Sequence, residues 1–348
     1  MFEWPNRLLL IIALLSVLLY TFQGADVSVE TVSVDRERML SYLNRQAEIL
    51  GQEALDRIST REKLVAEKDR LRSEFRFMIG LEPLPPRSPL KVTRVRVIER
   101  EGYTVETLHY AIPWVRAGYI CLIIDPIQVA EVFGVHRGTH SNDMRDWYCR
   151  GYTPIGIEVW NAMRAVDYLL TRPDVDGKRL TINGVSGGGH LSWMTGAVDD
   201  RLAVVQPVAG TADVQAHVQL DLQARHCDCA YFINTYRHDW TTLAALIAPR
   251  PLLLHNSSED PYYPPEGYQR VFKRVQSLYG LSGAAEKAGI FEVPGRHDYT
   301  QAEREKAVEW SEWWLRGERA KITERPFDKI PGAQLSAFGG DLPNTSIY

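Results

Sequence analysis

The chain has 348 residues, 45% of them hydrophobic and 24% charged, with a net charge of −4. That length supports one large core or two modest ones, and a mild charge without a long basic run excludes a broad nucleic-acid footprint. Nine Trp and 16 Tyr are many aromatics: exposed ones would stack on sugar rings, and most are expected to fill the core.

The chain opens on MFEWPNRLLLIIALLSVLLYTFQGADVS, in which Arg7 is the only basic side chain. Residues 8–22 are apolar except for Ser16 and Thr21. This run is short for a membrane span of roughly 20 residues and suits a signal-peptide core. Residues 1–25 are therefore expected to direct export to the periplasm or the medium. Gly24 and Ala25 are small, but Phe22 and Gln23 suit a cleavage site poorly, so retention as an N-terminal membrane anchor is the alternative.

Residues 35–80 read as a helical arm. Leu43, Ala47, Leu50, Ala54 and Leu55 repeat at helical spacing, and Leu64, Leu71, Phe75 and Met78 form a second stripe. Gly51 is expected to weaken the end of the first helix, and STRE at 59–62 to open the second as a capping box. LEPLPPRSPL is an extended linker into a domain over residues 81–320, followed by an irregular tail over 321–348.

Within that domain, KVTRVRVIER and TVETLHYAI alternate apolar and polar residues, as an antiparallel pair joined near Gly102. GYICLIID is continuously apolar, as a strand buried on both faces. A long loop, 126–152, precedes a helix over 155–170 with Val159, Met163, Val166 and Leu170 on one face. TINGVS, LAVVQPVAG, RPLLLHNSS and EKAGIFEVPG read as further strands, residues 190–198 as a helix, and QAEREKAVEWSEWWLRG as an amphipathic terminal helix. This alternation predicts an α/β fold with an open, mostly parallel sheet.

Four cysteines, Cys121, Cys149, Cys227 and Cys229, fit an exported protein sparingly. Cys121 lies in an apolar run and is expected to be a buried thiol. HCDC at 226–229 resembles a metal tract but lacks a second pair at zinc spacing, so no metal is expected. A bridge from Cys149 to this loop is a hypothesis.

Gly184-Val185-Ser186-Gly187-Gly188 fits G-x-S-x-G, with a β-branched strand before it and a helix after it. Such glycines permit a sharp turn that raises the serine hydroxyl above the sheet edge, and the helix dipole points at the place where an oxyanion would develop. The hydroxyl needs a base held by a carboxylate, in the chain order Ser, Asp or Glu, His. Of nine histidines, only His297, in PGRHDY, lies in the last quarter of the chain. The acid is expected after the preceding strand, where Asp260 is followed by proline and aromatics that would fix its backbone. Glu259 is the alternative, and Asp298 is too close in sequence to reach the far nitrogen.

These residues resemble the acetyl xylan esterase-like branch of the α/β-hydrolase superfamily. The likeness runs from about residue 75 to 317 and rests on FMIGLEPLP, GYICLIIDPIQVAE, RGYTPIGIEVWNAMRAVDYLLTRPDVD, GVSGGGHLSW, HCDC, APRPLLLHNSSEDPYYP and GRHD. It implies Ser186 as nucleophile, Asp260 as acid, His297 as base, the Gly187 N–H as an oxyanion donor, and hydrolysis of acylated polysaccharides or oligosaccharides with no cofactor. One departure stands out. The branch has an extra strand, a loop and a helix where only AIPWVRA separates Tyr110 from Gly118. Seven residues cannot hold a strand and its crossover helix. A sheet lacking one strand and helix is therefore expected, together with the loss of one oxyanion donor. An omitted gene segment, a degenerate relative kept as a glycan-binding or structural module, or a donor from another loop, such as that after Asp125, would each account for it. A serine peptidase of this fold would carry a propeller-like domain, for which the chain has no room.

Glu131, His136 and Arg137 follow the CLIID run at the carboxyl edge, where ligands bind in open α/β sheets, and are candidates for the substrate rim. Trp147, Tyr148 and Tyr152 offer a sugar-stacking face or core packing. Glu158, Asn161 and Arg164 share a helix face, and Arg164 with Asp167 reads as structural pairing.

Overall fold

The computed structural model describes residues 29–90, 92, 98–100, 103–105, 112–129, 132, 146–222 and 226–326. The expected targeting segment and the rim candidates Glu131, His136 and Arg137 lie outside them. The chain divides into two units, Met1–Gln46 and Ala47–Tyr348. The described residues of the first, 29–46, are helical.

Helix α1 (Val29–Arg57) runs through Gly51 instead of ending there. Gly51 is buried, and a Cβ there would meet the Arg274 guanidinium at 2.9 Å. Packing thus outweighs the roughly 1 kcal/mol that glycine costs in a helix. Helix α2 (Arg61–Met78) is capped by Thr60, whose hydroxyl accepts from the Lys63 N–H at 3.2 Å. The expected capping box of Ser59 and Glu62 therefore does not form; a single cap at Thr60 takes its place. Leu64, Leu71, Phe75 and Met78 are buried in the main core.

Strands β1 (Ile98–Arg100) and β2 (Tyr103–Val105) pair antiparallel, Arg100 opposite Tyr103. Helix α3 (Ile112–Arg116) occupies the short stretch after Tyr110. The expected buried strand GYICLIID does not form. Residues 119–126 have no regular structure, and Ile120, Leu122 and Ile123 are 43%, 41% and 46% exposed. A strand buried on both faces needs ladder partners and a layer on each side. Among the described residues no strand lies beside this segment. Only its start is covered, where Trp114, Tyr119 and Cys121 pack with Ala307 and Val308.

Helix α4 (Asp146–Cys149) leads to α5 (Pro154–Thr171), capped by the Thr153 hydroxyl, which accepts from Gly156 N at 2.9 Å. Val159, Met163 and Val166 are buried as expected, whereas Leu170 is 43% exposed at the helix end. Arg164 and Arg201 both pair with Asp167, and Arg164 also donates to Ser88 O. That network ties the helix to its neighbours.

The main sheet alternates strands and helices: β3 (Thr181–Val185), α6 (Gly187–Val198), β4 (Val204–Val208), α7 (Val214–Gln219), α8 (Trp240–Ile247), β5 (Leu252–Ser257), α9 (Pro265–Leu281), β6 (Ala288–Val293) and α10 (Gln301–Ser311). The four strands are parallel in the order β3-β4-β5-β6. This is the α/β-hydrolase fold, and among the described residues neither the extra strand nor the GYICLIID strand is present in its sheet. The inner strands β4 and β5 are wholly buried, and every residue of the edge strand β3 is half-buried. Helix α9 goes beyond the elements expected from sequence. Its stripe of Tyr268, Val271, Val275 and Leu278, with Pro265 at its start, is the signal that marks it.

The strand register brings the chain's turning points together. Val185 lies opposite Val208, Val208 opposite His255, and Ser257 opposite Val293. The carboxyl ends of β3, β5 and β6 therefore lie along one edge of the sheet, and the residues after them emerge at that edge.

Candidate active site

Ser186 follows β3 directly. Its backbone has φ 61° and ψ −114°, a region that a serine adopts only when its surroundings hold it there. Two hydrogen bonds do so: Ser186 N donates to Val208 O at 2.9 Å, and Ser186 O accepts from His190 N at 3.0 Å. The turn is tight enough to require glycine on both sides. A Cβ on Gly184 would lie 2.9 Å from the Gly188 backbone, and one on Gly189 would lie 2.5 Å from Val208 O. Gly187 backs onto the HCDC loop, where its Cβ would sit 2.7 Å from Cys229 Sγ.

Asp260 follows β5 and is 3% exposed. Its Oδ1 accepts from the N–H groups of Tyr262 and Tyr263 at 2.8 and 3.3 Å. Its Oδ2 accepts from His297 Nδ1 at 2.7 Å. A proton held on Nδ1 leaves Nε2 as the basic nitrogen. Glu259 and Asp298 are both exposed, and Asp298 Oδ1 is engaged by the Tyr299 N–H at 2.7 Å.

Tyr263 joins these groups. Its ring stacks on His297, with centroids 5.7 Å apart and planes 23° apart. Its hydroxyl lies 3.4 Å from His190 Nε2 and 3.5 Å from His226 Nδ1. Burial pushes the phenol well above its ordinary range, and the Asp260 carboxylate adds to this. Burial also holds His190 well below the ordinary histidine value, with His226 adding to the effect. The tyrosine is thus a neutral O–H, and His190 is a neutral ring. Tyr263, His190 and His226 carry no family-independent motif. Only the tyrosine's place in DPYYPP, three residues after the acid, hints at its position.

The HCDC loop forms the wall behind the elbow. Cys227 and Cys229 are disulfide-bonded to each other. Cys149 is exposed and outside any disulfide, so the bridge from Cys149 to this loop is not formed. Two residues apart, Cys227 and Cys229 can close a bond locally, without bringing Cys149 across from α4. Cys121 also keeps its thiol, which burial pushes up to about 12. Asp228 of the same loop is buried beside Glu158 of α5. Trp147 is half-buried on α4, and among the described residues no hydrogen bond or ring contact joins it to Ser186, Asp260 or His297. No group of His, Cys, Asp and Glu among the described residues is arranged to hold a metal ion.

Comparison with known proteins agrees with this architecture. "Putative hydrolase YtaP" of Bacillus subtilis is 28% identical over 185 residues, which cover 53% of this chain and 62% of that protein. "Carbohydrate esterase MZ0003", from an unknown prokaryotic organism, is 25% identical over 184 residues, covering 44% of this chain and 42% of that protein. This chain thus spans less than two thirds of each of these relatives. The solved structure of "Methylesterase BT1017" superposes with a TM-score of 0.60 at 20% identity, covering 88% of this chain and 74% of that one, and shares the fold. The family model for the prolyl oligopeptidase family matches residues 110–285, just over half of the chain. With the parallel sheet and the elbow at its carboxyl edge, this establishes that the chain belongs to the prolyl oligopeptidase family and has the α/β-hydrolase fold.

Proposed function

We propose that the chain is an exported serine hydrolase of carbohydrate esters that works without a cofactor. In this reading Ser186 Oγ attacks the acyl carbonyl while His297 Nε2 takes its proton. Asp260 holds the imidazole in the required tautomer and stabilises the imidazolium. The tetrahedral oxyanion is met by the Gly187 N–H at the start of α6, aided by the helix dipole. Collapse expels the sugar alcohol, which takes the proton back from His297 and leaves an acyl-enzyme. Water, activated by the same histidine, then releases the acid.

The observation that carries this reading is the 2.7 Å pairing of His297 Nδ1 with the buried Asp260 carboxylate, on the same sheet edge as the strained Ser186. The names of the relatives, a carbohydrate esterase and a methylesterase, support an ester of a carbohydrate as substrate. Glu131, His136, Arg137 and Trp147 are proposed for the rim that receives it. The apolar residues 8–22 support export, with anchoring through that segment as the alternative. Among the described residues no helix is long and apolar enough to cross a membrane.

The test is release of p-nitrophenol from p-nitrophenyl acetate by the wild type and by Ser186→Ala, with acetylated xylo-oligosaccharides as a second substrate. Equal rates for the two proteins would refute the proposal. Membership of a family named for oligopeptidases supports peptide hydrolysis as a second reading. Cleavage of a prolyl p-nitroanilide with no turnover of the acetate ester would select it.

A further inference from the structure

The HCDC loop lies against the first residue of α6. Its Cys227–Cys229 disulfide fills the space beside Gly187 where a side chain would stand. A Cβ there would meet Cys229 Sγ at 2.7 Å, Cys227 Sγ at 3.6 Å and Cys229 Cβ at 3.7 Å, so the three nearest atoms all belong to the bonded pair. Gly187 is also the residue whose N–H is proposed to meet the oxyanion.

We propose that the Cys227–Cys229 disulfide positions the Gly187 oxyanion donor, so that the site works with the bond closed and slows when a dithiol opens it. The proposal rests on the ester-hydrolase reading. Three observations carry it. The first is the contact itself, both sulfurs against the start of α6. The second is that the loop is also held by contacts other than the bond. His226 is buried, with its ring 5.9 Å from that of His190 on α6 and 5.1 Å from that of Tyr263. Ala230 N donates to Cys227 O at 3.1 Å, and Tyr231 N to Asp228 O at 3.2 Å. On opening, the loop therefore stays while the sulfurs part, because unbonded sulfurs cannot remain at bonding distance. In a close-packed interior such a displacement passes to the nearest neighbour, and that neighbour is Gly187. A misplacement of about 1 Å at a positioned group costs on the order of 10²-fold. The third is the unequal burial of the pair: Cys229 is 5% exposed in the main core, whereas Cys227 is half-buried. A reductant thiolate can thus attack Cys227 Sγ and expel the Cys229 thiolate. The reductant's second thiol then closes its own disulfide and releases Cys227. One S–S bond breaks in the protein and one forms in the reductant, and two electrons and two protons pass to the two cysteines.

The full chain is assayed with p-nitrophenyl acetate and phenylboronic acid in three states: oxidised, reduced by dithiothreitol that is then removed under argon, and reoxidised. Ser186→Ala and the double variant Cys227→Ala/Cys229→Ala are run beside it. In the boronate adduct Ser186 Oγ bonds to boron, its proton passes to His297, and the tetrahedral boron carries an oxygen at the oxyanion position. Alkylation in denaturant counts two free thiols with the bond closed and four with it open, and near-UV circular dichroism reports the core. Reduction is expected to lower kcat about tenfold or more, up to the roughly 10²–10³-fold that a whole donor supplies. KM should stay within about threefold, boronate binding should weaken about tenfold, and the near-UV spectrum should be unchanged. Reoxidation should restore the rate, and the double variant should be slow and indifferent to the dithiol. A kcat within about threefold of the oxidised value, with four thiols counted, overturns the proposal and leaves the esterase reading standing. Loss of the near-UV spectrum along with the rate also overturns it, because the bond would then only hold the fold. If the dithiol leaves the bond closed, the double variant decides: a kcat within about threefold of wild type overturns the proposal, and a tenfold fall with the spectrum intact supports it. If wild type is no faster than Ser186→Ala, the esterase reading fails and the boronate decides: equal affinities of the oxidised protein and the double variant overturn the proposal, and weaker binding by the variant supports it.

Discussion

Glu158 of α5 is buried beside Asp228 of the HCDC loop, and its ionisation is predicted to make the fold weaken with rising pH. It is 5% exposed. Burial, with the neighbouring Asp228 carboxylate adding to it, pushes its pKa from 4.5 up to about 8. The native state therefore keeps a proton that the unfolded chain releases near pH 4.5. Below that value both states are protonated and Glu158 has no effect on the balance. Between about pH 4.5 and 8 only the native state holds the proton, so stability falls steadily. Above about pH 8 the loss is complete. A gap from 4.5 to about 8 corresponds to roughly 5 kcal/mol at about 1.4 kcal/mol per pH unit. Gln keeps the shape and carries no charge. The stability of Glu158→Gln relative to wild type is therefore expected to grow across that window, by an amount on the order of 5 kcal/mol at about pH 9. Urea unfolding of both proteins at a series of pH values measures the difference directly. Curves that stay parallel from about pH 4 to about pH 9 would refute the reasoning.

Three further predictions concern the site and its frame. Asp260→Asn should cut kcat by about 10³–10⁴-fold while Glu259→Gln leaves it nearly unchanged; a well-preserved rate in Asp260→Asn would show that another acid serves His297. Gly189→Ala would place a Cβ 2.5 Å from Val208 O and 2.9 Å from Gly210 Cα. Both are backbone atoms that cannot swing away, so a loss of about 1–3 kcal/mol or more is expected in thermal melts, and an unchanged Tm would contradict the close approach of α6 to β4. With the Cys227–Cys229 bond in place, denatured protein should titrate two of its four thiols with Ellman's reagent before reduction and all four after it; four before reduction would disprove the bond.

The sequence is most legible where a few neighbouring residues set the outcome. The β-branched run before Ser186, its glycines and the stripe Leu64, Leu71, Phe75 and Met78 each form local structure within a turn or two. The same local rules misread GYICLIID. Its composition suits a buried strand, but strand formation depends on a neighbour, and the sequence around Tyr110 has no room for one. The HCDC loop shows the other limit. Spacing by itself left the partner of Cys227 open, whereas the fold puts Cys229 beside it and leaves Cys149 on α4.

Ser186, Asp260 and His297 were legible as candidates because the chain order of an elbow serine, an acid after a strand and a late histidine is itself a one-dimensional pattern. The surroundings of the serine are not one-dimensional. Tyr263, His190 and His226 come from three separate loops and helices, and their approach is set by the parallel register that puts the ends of β3, β5 and β6 side by side. By itself the sequence determined the four parallel strands β3 to β6 and where a nucleophile could stand, since those depend on local backbone and side-chain preferences. Only the tertiary structure decided which carboxylate meets His297 and which ring stacks on it, because such contacts are made across tens of residues by packing.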